Sequence, residues 1–232
     1  MPAGFPKFLI AILTFAFCVF NCYCYAAPCY GTKMPQRNKI FMGLENNNIF
    51  KRYLEGDNGN LRSAQGFLLL SYGIFDWLSI DLKGGAGNIK QHPVDSDEIR
   101  YPLGFAGGYG FRLKFFDKDK AKMVLGFQHI SVHPRSKHVG SVRNKAILDD
   151  WQVSLLASYD IWKLTPYLGT KWSRTDYIHK VGTTRKRIMS DMTKDIGLIV
   201  GLDVGLAKQV WVNLEGQFFD VEACSFSLNY SF

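Results

Sequence analysis

The C-terminal stretch VEACSFSLNYSF, residues 221–232, changes character at almost every position. From Cys224 to Phe232 every second residue is apolar or aromatic, and the residues between them are small or polar. Neighbouring side chains of a β-strand point to opposite faces, so an alternation with a period of two is typical of a strand. The pattern predicts a strand with one apolar and one polar face that continues to the last residue.

The same alternation recurs in ten segments along the chain. They are residues 38–52, 61–74, 77–89, 99–116, 121–133, 148–162, 164–178, 192–206, 209–219 and 221–232. The clearest run is that from Ile196 to Leu206, where every second residue is apolar and most residues between are Gly or Asp. Three segments alternate less regularly, so the direction of their faces stays open: 61–74, 77–89 and 164–178.

The apolar faces are long and bulky, whereas the opposite faces mix glycine and serine with charge. In 99–116, for example, Phe105 and Phe111 share one face, and Gly108 and Arg112 lie on the other. A soluble β-sandwich or lipocalin-like barrel would instead bury its bulky face and keep its exterior polar. We therefore predict an all-β protein, a transmembrane antiparallel β-barrel in an up-and-down meander, closed because lipid-exposed backbone must be hydrogen-bonded. It has ten strands, or eight if the first or ninth segment is misread.

Composition agrees with this fold class. The mean hydropathy is −0.06, and after residue 27 no apolar run reaches the roughly 20 residues of a spanning helix, which excludes a helical membrane protein. Aromatic residues make up 15% of the chain and glycines number 22. Such a mixture is typical of strands with a lipid-facing side and aromatic girdles.

Charged residues on the small-residue faces are expected in the lumen: Glu45, Asp81, Lys83, Arg112, Lys114, Asp160, Lys171, Asp195, Asp203 and Glu215. Both signs occur in similar number, which favours a neutralised network that fills the lumen over an ion-selective pore. The links between segments alternate in length. Short links follow 61–74 and 148–162, and long polar links lie at 53–60, 90–98, 134–147 and 179–191. This alternation is typical of periplasmic turns and extracellular loops.

Residues 1–27 have the features of a cleaved export signal. Lys7 precedes the apolar run 8–20, which has about the 7–15 residues of a signal core and is followed by small residues suited to cleavage. Residues 28–37 are then a periplasmic N-terminal segment and 38–232 the barrel. After cleavage only Cys29 and Cys224 remain. We expect no disulfide between them, because they would lie toward opposite ends of the barrel.

The mature chain resembles bacterial outer-membrane β-barrel proteins along its whole length. The assembly machinery of such barrels reads a terminal aromatic residue, which implies that this machinery is a partner during biogenesis. The implied assembly signal is Phe226, Leu228, Tyr230 and Phe232. The resemblance also implies a location in a Gram-negative-type outer membrane, among small non-enzymatic surface barrels such as the OmpA-like class. It names no particular activity and leaves the oligomeric state open.

The formal net charge is +8, and basic residues cluster in the loops, above all in the links 134–147 and 179–191. Cations there are expected to contact lipopolysaccharide phosphates in the outer leaflet, namely Arg135, Lys137, Arg143, Lys145, Arg185, Lys186 and Arg187. A merely solvated loop is the plain alternative. Nucleic acid is the other usual partner of a basic chain, but export and the lack of a binding motif argue against it. A structural or surface-interaction role is therefore the first interpretation.

A second interpretation is an acyl hydrolase built on His129 and Ser131. Their spacing of two puts both side chains on one face of a strand, together with its apolar residues and hence toward lipid. A serine with a neighbouring histidine, and Asp149 or Asp150 as the carboxylate, is an arrangement used for acyl transfer. The pair resembles the His-x-Ser motif of outer-membrane lipid A 3-O-deacylases. Val132 stands where that family usually has asparagine, no glutamate lies nearby, and that family's barrel is smaller.

Two further alternatives remain. Asp176 and His179 resemble the acid–base pair of the ten-stranded omptin proteases, but their spacing of three puts them on opposite faces of a strand. A small passive channel is the third functional class. The histidines lack a convincing set of partner ligands, so neither a metal nor a cofactor is expected.

Overall fold

The computed structural model describes residues 28–94 and 97–232. Its strands are β1 (Ile40–Tyr53), β2 (Asn60–Phe75), β3 (Leu78–His92), β4 (Ile99–Lys118), β5 (Ala121–His133), β6 (Lys137–Val139), β7 (Val142–Tyr159), β8 (Leu164–Val181), β9 (Thr184–Met189), β10 (Ile196–Gly205), β11 (Val210–Phe218) and β12 (Glu222–Ser231). Short 3-10 turns lie at Gly56–Asn58 and Met192–Lys194. The ten predicted segments correspond in order to β1–β5, β7, β8 and β10–β12.

These ten strands close into a barrel. Each ring strand pairs antiparallel with the next ring strand along the chain, and β1 pairs with β12 to complete the ring. The closing pair runs from Phe41 opposite Ser231 to Lys51 opposite Glu222. The prediction of an all-β, ten-stranded antiparallel barrel in meander order is confirmed, and the eight-strand alternative is wrong.

β1 begins and β12 ends at the same end of the barrel, which we call the lower mouth; the opposite end is the upper rim. Two small strands lie outside the ring at the upper rim, where β6 pairs with β7 and β9 pairs with β8. The sequence predicted loops at both places. Strands above the barrel have no face that must be apolar throughout, so they lack the alternation by which the ring strands were found.

Large apolar side chains cover the outside of the barrel. Ring strands other than β11 carry exposed residues such as Leu44, Leu68, Leu82, Phe105, Leu125, Leu155, Leu168, Val200 and Phe226, and β11 adds the half-buried Val212 and Leu214. The three strands whose facing was open, β2, β3 and β8, also point large residues outward, namely Leu68, Leu70, Leu82 and Leu168, whereas Leu61 and Leu69 of β2 face the lumen. An apolar surface that encircles a barrel fits a lipid-facing band, and monomeric soluble proteins rarely expose one of this extent.

The lumen is filled in layers. Toward the upper rim it holds a buried apolar cluster that includes Leu61, Ile89, Tyr101, Ile130, Leu148, Tyr177 and Ala223. Near the lower mouth a smaller cluster contains Tyr30, Phe41, Leu69 and Trp211, with the Phe41 and Trp211 rings edge to face at 5.1 Å. Between the two clusters lies a polar layer.

Candidate functional site

Buried ion pairs hold the polar layer together. Arg112 donates to both carboxylate oxygens of Asp81 at 2.9 Å and to the hydroxyl of Ser71 at 3.0 Å. Lys83 bonds Glu45 at 3.0 Å. These four charged residues are at most 8% exposed. The neutralised network predicted for the lumen is therefore present.

A second buried network joins distant parts of the chain. Asp220, in the turn between β11 and β12, lies 3.0 Å from the side-chain nitrogens of both Arg52 and Lys171. The hydroxyl of Ser173 donates to the same carboxylate. Arg52, at the upper end of β1, points into the lumen and is 3% exposed. Asp220 was missed because it stands in a link between two segments.

Seven of the ten charges predicted in the lumen are buried: Glu45, Asp81, Lys83, Arg112, Lys171, Asp203 and Glu215. Lys114 and Asp160 are half-buried near the lower mouth, and each forms an ion pair there. The prediction for Asp195 was wrong. Asp195 precedes β10 and therefore does not follow the alternation of that strand. Its carboxylate accepts a hydrogen bond from Nε1 of Trp172 at 2.9 Å, and Trp172 points outward.

The segment before β1 enters the polar layer. Residues 28–37 were predicted to lie in the periplasm, but the structure buries the first part, residues 28–32, inside the barrel. The backbone N–H of Cys29 donates to Glu215 at 2.8 Å, and the Gln128 amide donates to the Pro28 carbonyl at 2.6 Å. Apolar cluster, polar network and N-terminal segment together occupy the lumen, which does not favour a passive channel.

The two cysteines of the described residues, Cys29 and Cys224, lie on opposite sides of the barrel wall. Cys29 is 2% exposed among lumen side chains, and Gln152 donates to its sulfur at 3.4 Å. Cys224 lies on the outward side of β12, between the lumen-facing Ala223 and Ser225. The wall, rather than the length of the barrel, separates the two sulfurs.

A polar group lies on the outward face of β5 and β7, near the upper end of the apolar surface. Ser131 and Asp149 are cross-strand partners, and the Ser131 hydroxyl donates to the Asp149 carboxylate. Nε2 of His133 lies 2.8 Å from the same hydroxyl oxygen. His129 instead stacks on Trp151, with ring centroids 3.9 Å apart. The contact predicted between His129 and Ser131 is therefore not made, and His133 takes that place.

Strand parity explains this outcome. His129 and His133 both stand two residues from Ser131 and share its face, so spacing alone does not choose between them. Asp149 shares that face, whereas Asp150 points into the lumen and accepts from Thr175. The Ser131 hydroxyl has one hydrogen, which it uses in a hydrogen bond to the Asp149 carboxylate. In a Ser–His–Asp relay the carboxylate contacts the histidine; here it contacts the serine.

The omptin-like pair is not assembled. Asp176 faces outward and forms ion pairs with Arg174 and Arg187. His179 lies on the lumen side of β8, beside the rings of Tyr101 and Tyr177. The two side chains point to opposite faces, as their spacing predicted.

A cleft of about 380 Å³ lies on the outward face of β7, β8 and β9 at the upper rim. We call it the cationic cleft; its lining includes His133, Ser136, Arg143, Lys145, Ile147, Ile178, Lys180 and Arg185. Pairing of the strands places Lys145, Lys180 and Arg185 in one cross-strand row. Among the described residues that line it, none is a carboxylate. An anion in the cleft would meet four cationic side chains with no competing acid.

Gly182 makes this sheet possible at its upper end. Its φ of +57° suits the tight turn that joins β8 to β9, and that conformation is readily adopted by glycine. The turn brings the basic run of β9 back beside β8. Lys180 thereby joins the row, a residue that the sequence placed in a basic loop without assigning it a ligand.

Three of the predicted phosphate ligands line the cleft: Arg143, Lys145 and Arg185. The other four do not: Arg135, Lys137, Lys186 and Arg187. Arg187 pairs with Asp176, and Lys186 donates to Asn58 at 3.2 Å. Alternation along β9 sends neighbouring cations to opposite faces, so a basic run in sequence becomes a cleft plus separate surface charges.

The predicted assembly signal lies in and just after β12. Phe226, Leu228 and Tyr230 point outward and are 39%, 42% and 41% exposed. The rings of Tyr230 and Phe232 meet edge to face at 4.8 Å. β12 pairs with β1 on one side and β11 on the other, so its side chains form part of the closed wall. Reading of this row by an assembly machinery stays a prediction.

Within residues 28–94 and 97–232, no group of three or more His, Cys, Asp or Glu residues is arranged to hold a metal ion. The same part of the chain has no helix long and apolar enough to cross a membrane. The expectation that the protein needs no cofactor stays a prediction.

No protein-family model and no curated protein sequence matches the chain. Solved structures with a similar fold include the outer membrane protease OmpT from Escherichia coli, with 13% identity, a TM-score of 0.42, and coverage of 84% of this chain and 94% of that chain. The translocator domain of the autotransporter NalP from Neisseria meningitidis has 9% identity, a TM-score of 0.46, and coverage of 84% and 87%. An outer membrane channel from Pseudomonas putida F1 has 9% identity, a TM-score of 0.44, and coverage of 89% and 100%. At these values the neighbours' activities do not transfer to this chain.

Proposed function

We propose that the protein is a non-enzymatic β-barrel of a bacterial outer membrane whose cationic cleft binds the phosphate groups of lipopolysaccharide. The single observation that supports a phosphate ligand is the row of cations on the outward face of the barrel, formed by Lys145, Lys180 and Arg185 and joined by Arg143. Lys and Arg form strong charge-assisted hydrogen bonds with phosphate.

The outward apolar surface supports the membrane location. Exposed aliphatic and aromatic side chains encircle the barrel, and lipid is the solvent that such a surface requires. The export signal and the terminal aromatic row support the outer membrane as the compartment.

The height of the cleft supports a phosphate of the surface layer as its ligand. On the outward face of β8, Trp172 is the last large aromatic residue, and Arg174, Asp176 and Ile178 lie between it and Lys180. The cleft therefore stands above the lipid-facing surface but shares its outward direction. Basic pockets at this kind of boundary bind anionic head groups.

The first test is binding of purified lipopolysaccharide to the protein refolded in detergent micelles. We expect that K145A/K180A/R185A weakens binding about 100-fold, because each cation near such a surface contributes about 1 kcal/mol. A matched control is K118A/K120A/K208A, which removes the same charge from exposed turns at the lower mouth. Dephosphorylated lipopolysaccharide should bind the wild type as weakly as intact lipopolysaccharide binds the cleft variant. Equal loss in the control variant would mean that net charge, rather than the cleft, attracts the ligand, and the proposal would fail.

An acyl hydrolase acting on lipid A is the second candidate, and one observation favours it. Ser131 faces outward, contacts both His133 and Asp149, and lies next to the cleft, since His133 belongs to both groups. For acyl transfer the serine proton would have to pass to His133 while the serine oxygen attacks the ester carbon; the ester C–O bond then breaks and His133 gives the proton to the departing alcohol oxygen. That requires the hydroxyl to turn away from Asp149.

Mass spectrometry of lipid A from cells with and without the protein decides between the two. We expect unchanged acylation, in agreement with a binding role. Loss of one acyl chain that is abolished by Ser131→Ala and His133→Ala, but not by His129→Ala, would instead establish the hydrolase and its base. Loss that depends on His129 would show that the observed serine–histidine contact is not the catalytic one.

A further inference from the structure

A small sheet continues above the barrel at the upper rim, with its strands in the order β6, β7, β8 and β9. Among the described strands, β9 pairs with β8 alone. Residues 184–187 of β9 are exposed. The side of β9 that faces away from β8 is therefore a sheet edge, and such an edge presents unpaired N–H and C=O groups to which a further strand can bind.

Alternation along β9 shows which backbone groups point to this edge. In an antiparallel pair, every second residue exchanges its N–H and C=O with the partner strand. The N–H of Ser190, just after β9, donates to the carbonyl of Thr175 at 2.7 Å, so the even-numbered residues of β9 bond to β8. Arg185, Arg187 and Met189 have the opposite parity and direct their backbone groups to the open side.

The chain itself fills the lower part of this edge. The carbonyl of Met189 accepts from the N–H of Glu55 at 2.9 Å, and the N–H of Met189 donates to the Glu55 carboxylate at 3.0 Å. After Glu55 the chain leaves the edge in the 3-10 turn Gly56–Asn58. Within residues 28–94 and 97–232, no group pairs with the outer backbone groups of Arg185 and Arg187. The upper part of the edge is therefore open.

Three cations surround the open part. Arg185 and Arg187 share the outward face, and Lys186 lies on the other face, 3.2 Å from Asn58. Asp176 pairs with Arg187, whereas no carboxylate of the described residues forms an ion pair with Arg185 or Lys186. Charged side chains on an edge strand oppose its pairing with most other strands. An acidic strand is the exception, because its carboxylates would meet cations on both faces.

We propose that the open edge of β9 binds an extended acidic segment of another protein, which adds to the sheet as a further strand. The segment exchanges up to four backbone hydrogen bonds with Arg185 and Arg187, and its carboxylates select this edge by charge. Backbone pairing supplies affinity and side chains supply specificity in this mode of binding. The open residues 184–188 span about 17 Å. The site shares only the Arg185 side chain with the cationic cleft.

A probe peptide and the protein refolded in micelles free of lipopolysaccharide test the proposal. The probe is Thr-Val-Glu-Glu-Glu-Val-Thr with blocked ends and a neutral fluorophore, and fluorescence anisotropy measures its binding. A probe with lysine in place of the glutamates should bind at least about tenfold more weakly, because like charges then face each other. An acidic probe with N-methyl groups on its glutamates keeps the charge but loses the donors. It should also bind about tenfold more weakly, since each lost hydrogen bond costs roughly fivefold.

Arg187→Pro and Arg187→Ala are a matched pair of variants for the edge itself. Both remove the ion pair with Asp176, but only proline removes the N–H on the open side, and an edge strand tolerates proline at such a position. Arg187→Pro should bind the acidic probe about fivefold more weakly than Arg187→Ala does. Lipopolysaccharide binding should be equal in the two variants, because Arg187 does not line the cleft. Failure of the edge site and failure of the cleft are thus separate results.

Three outcomes would overturn the proposal. Equal binding of the acidic probe and its N-methylated form would show that charge alone attracts the peptide. Equal binding of the acidic probe to Arg187→Pro and Arg187→Ala, with both barrels closed as judged by heat-dependent gel migration, would show that the edge is not used. Lack of binding at millimolar probe would show that the edge accepts no acidic strand. If Arg187→Pro does not close, the N-methylated probe decides with the wild type.

Discussion

Replacing Arg112 with leucine should lower the free energy of unfolding of the barrel by about 3–5 kcal/mol, because the Asp81 carboxylate is then left buried without its cation. Arg112 is 1% exposed and donates to both oxygens of Asp81 at 2.9 Å. It also donates to Ser71 and to the backbone of Lys33. Leucine fills part of the space but donates nothing. Urea titration of the protein refolded in micelles measures the loss.

Two further variants show whether the buried charge is the cause. Arg100→Leu removes an arginine of which the side chain is 71% exposed and paired with Glu98, and should change stability by at most about 1 kcal/mol. The double variant R112L/D81L should recover much of the loss, since no charge is then stranded. A double variant as unstable as R112L alone would assign the effect to packing instead.

Asp220→Ala should cost a similar amount, about 3–5 kcal/mol, because two buried cations lose the same carboxylate. Arg52 is 3% exposed and Lys171 is 2% exposed, and the nitrogen of each lies 3.0 Å from Asp220. Arg52 keeps hydrogen bonds to Ser173 and Ser190, and Lys171 keeps a hydrogen bond to the side-chain oxygen of Gln217, which is neutral. The same urea titration applies.

The comparison for Asp220 is Asp117→Ala, which breaks an ion pair of which the acid is 42% exposed and should cost at most about 1 kcal/mol. The loss of stability caused by Asp220→Asn should lie between the losses caused by Asp220→Ala and Asp117→Ala, since asparagine keeps an oxygen acceptor but has no charge. If Asp220→Ala unfolds at the same urea concentration as the wild type, the buried network around Asp220 does not stabilise the barrel.

The placement of charge connects these interior tests to the proposed function. The lumen buries the cations Arg52, Lys83, Arg112 and Lys171, and it buries more acids than that: Glu45, Asp81, Asp150, Asp203, Glu215 and Asp220. The excess of +8 in the whole chain therefore resides outside the lumen, where it is shared between the two ends of the barrel. That distribution favours an anionic partner at the surface rather than in the lumen.

Alternation by itself determined the ten ring strands, their antiparallel order, the outward apolar surface and most of the lumen charges. These features follow from a local rule, since successive side chains of a strand alternate between its two faces and each face contacts a different environment. The rule also put His129 and Ser131 on the outward face, but it left the choice between Asp149 and Asp150 open. It gave no sign of β6 and β9, and it misplaced Asp195, which stands outside a strand.

Only the tertiary structure decided which residues on a given face meet. Arg52 and Asp220 are 168 residues apart, and the closing of the ring brings them together. Lys145, Lys180 and Arg185 form a row only through the register of β7, β8 and β9, and His133 rather than His129 reaches Ser131. The segment before β1 is the clearest case, because nothing in residues 28–33 alternates. Its place depends on a lumen whose donors and acceptors come from the four strands β4, β5, β7 and β11, and such long-range complementarity is absent from any local pattern.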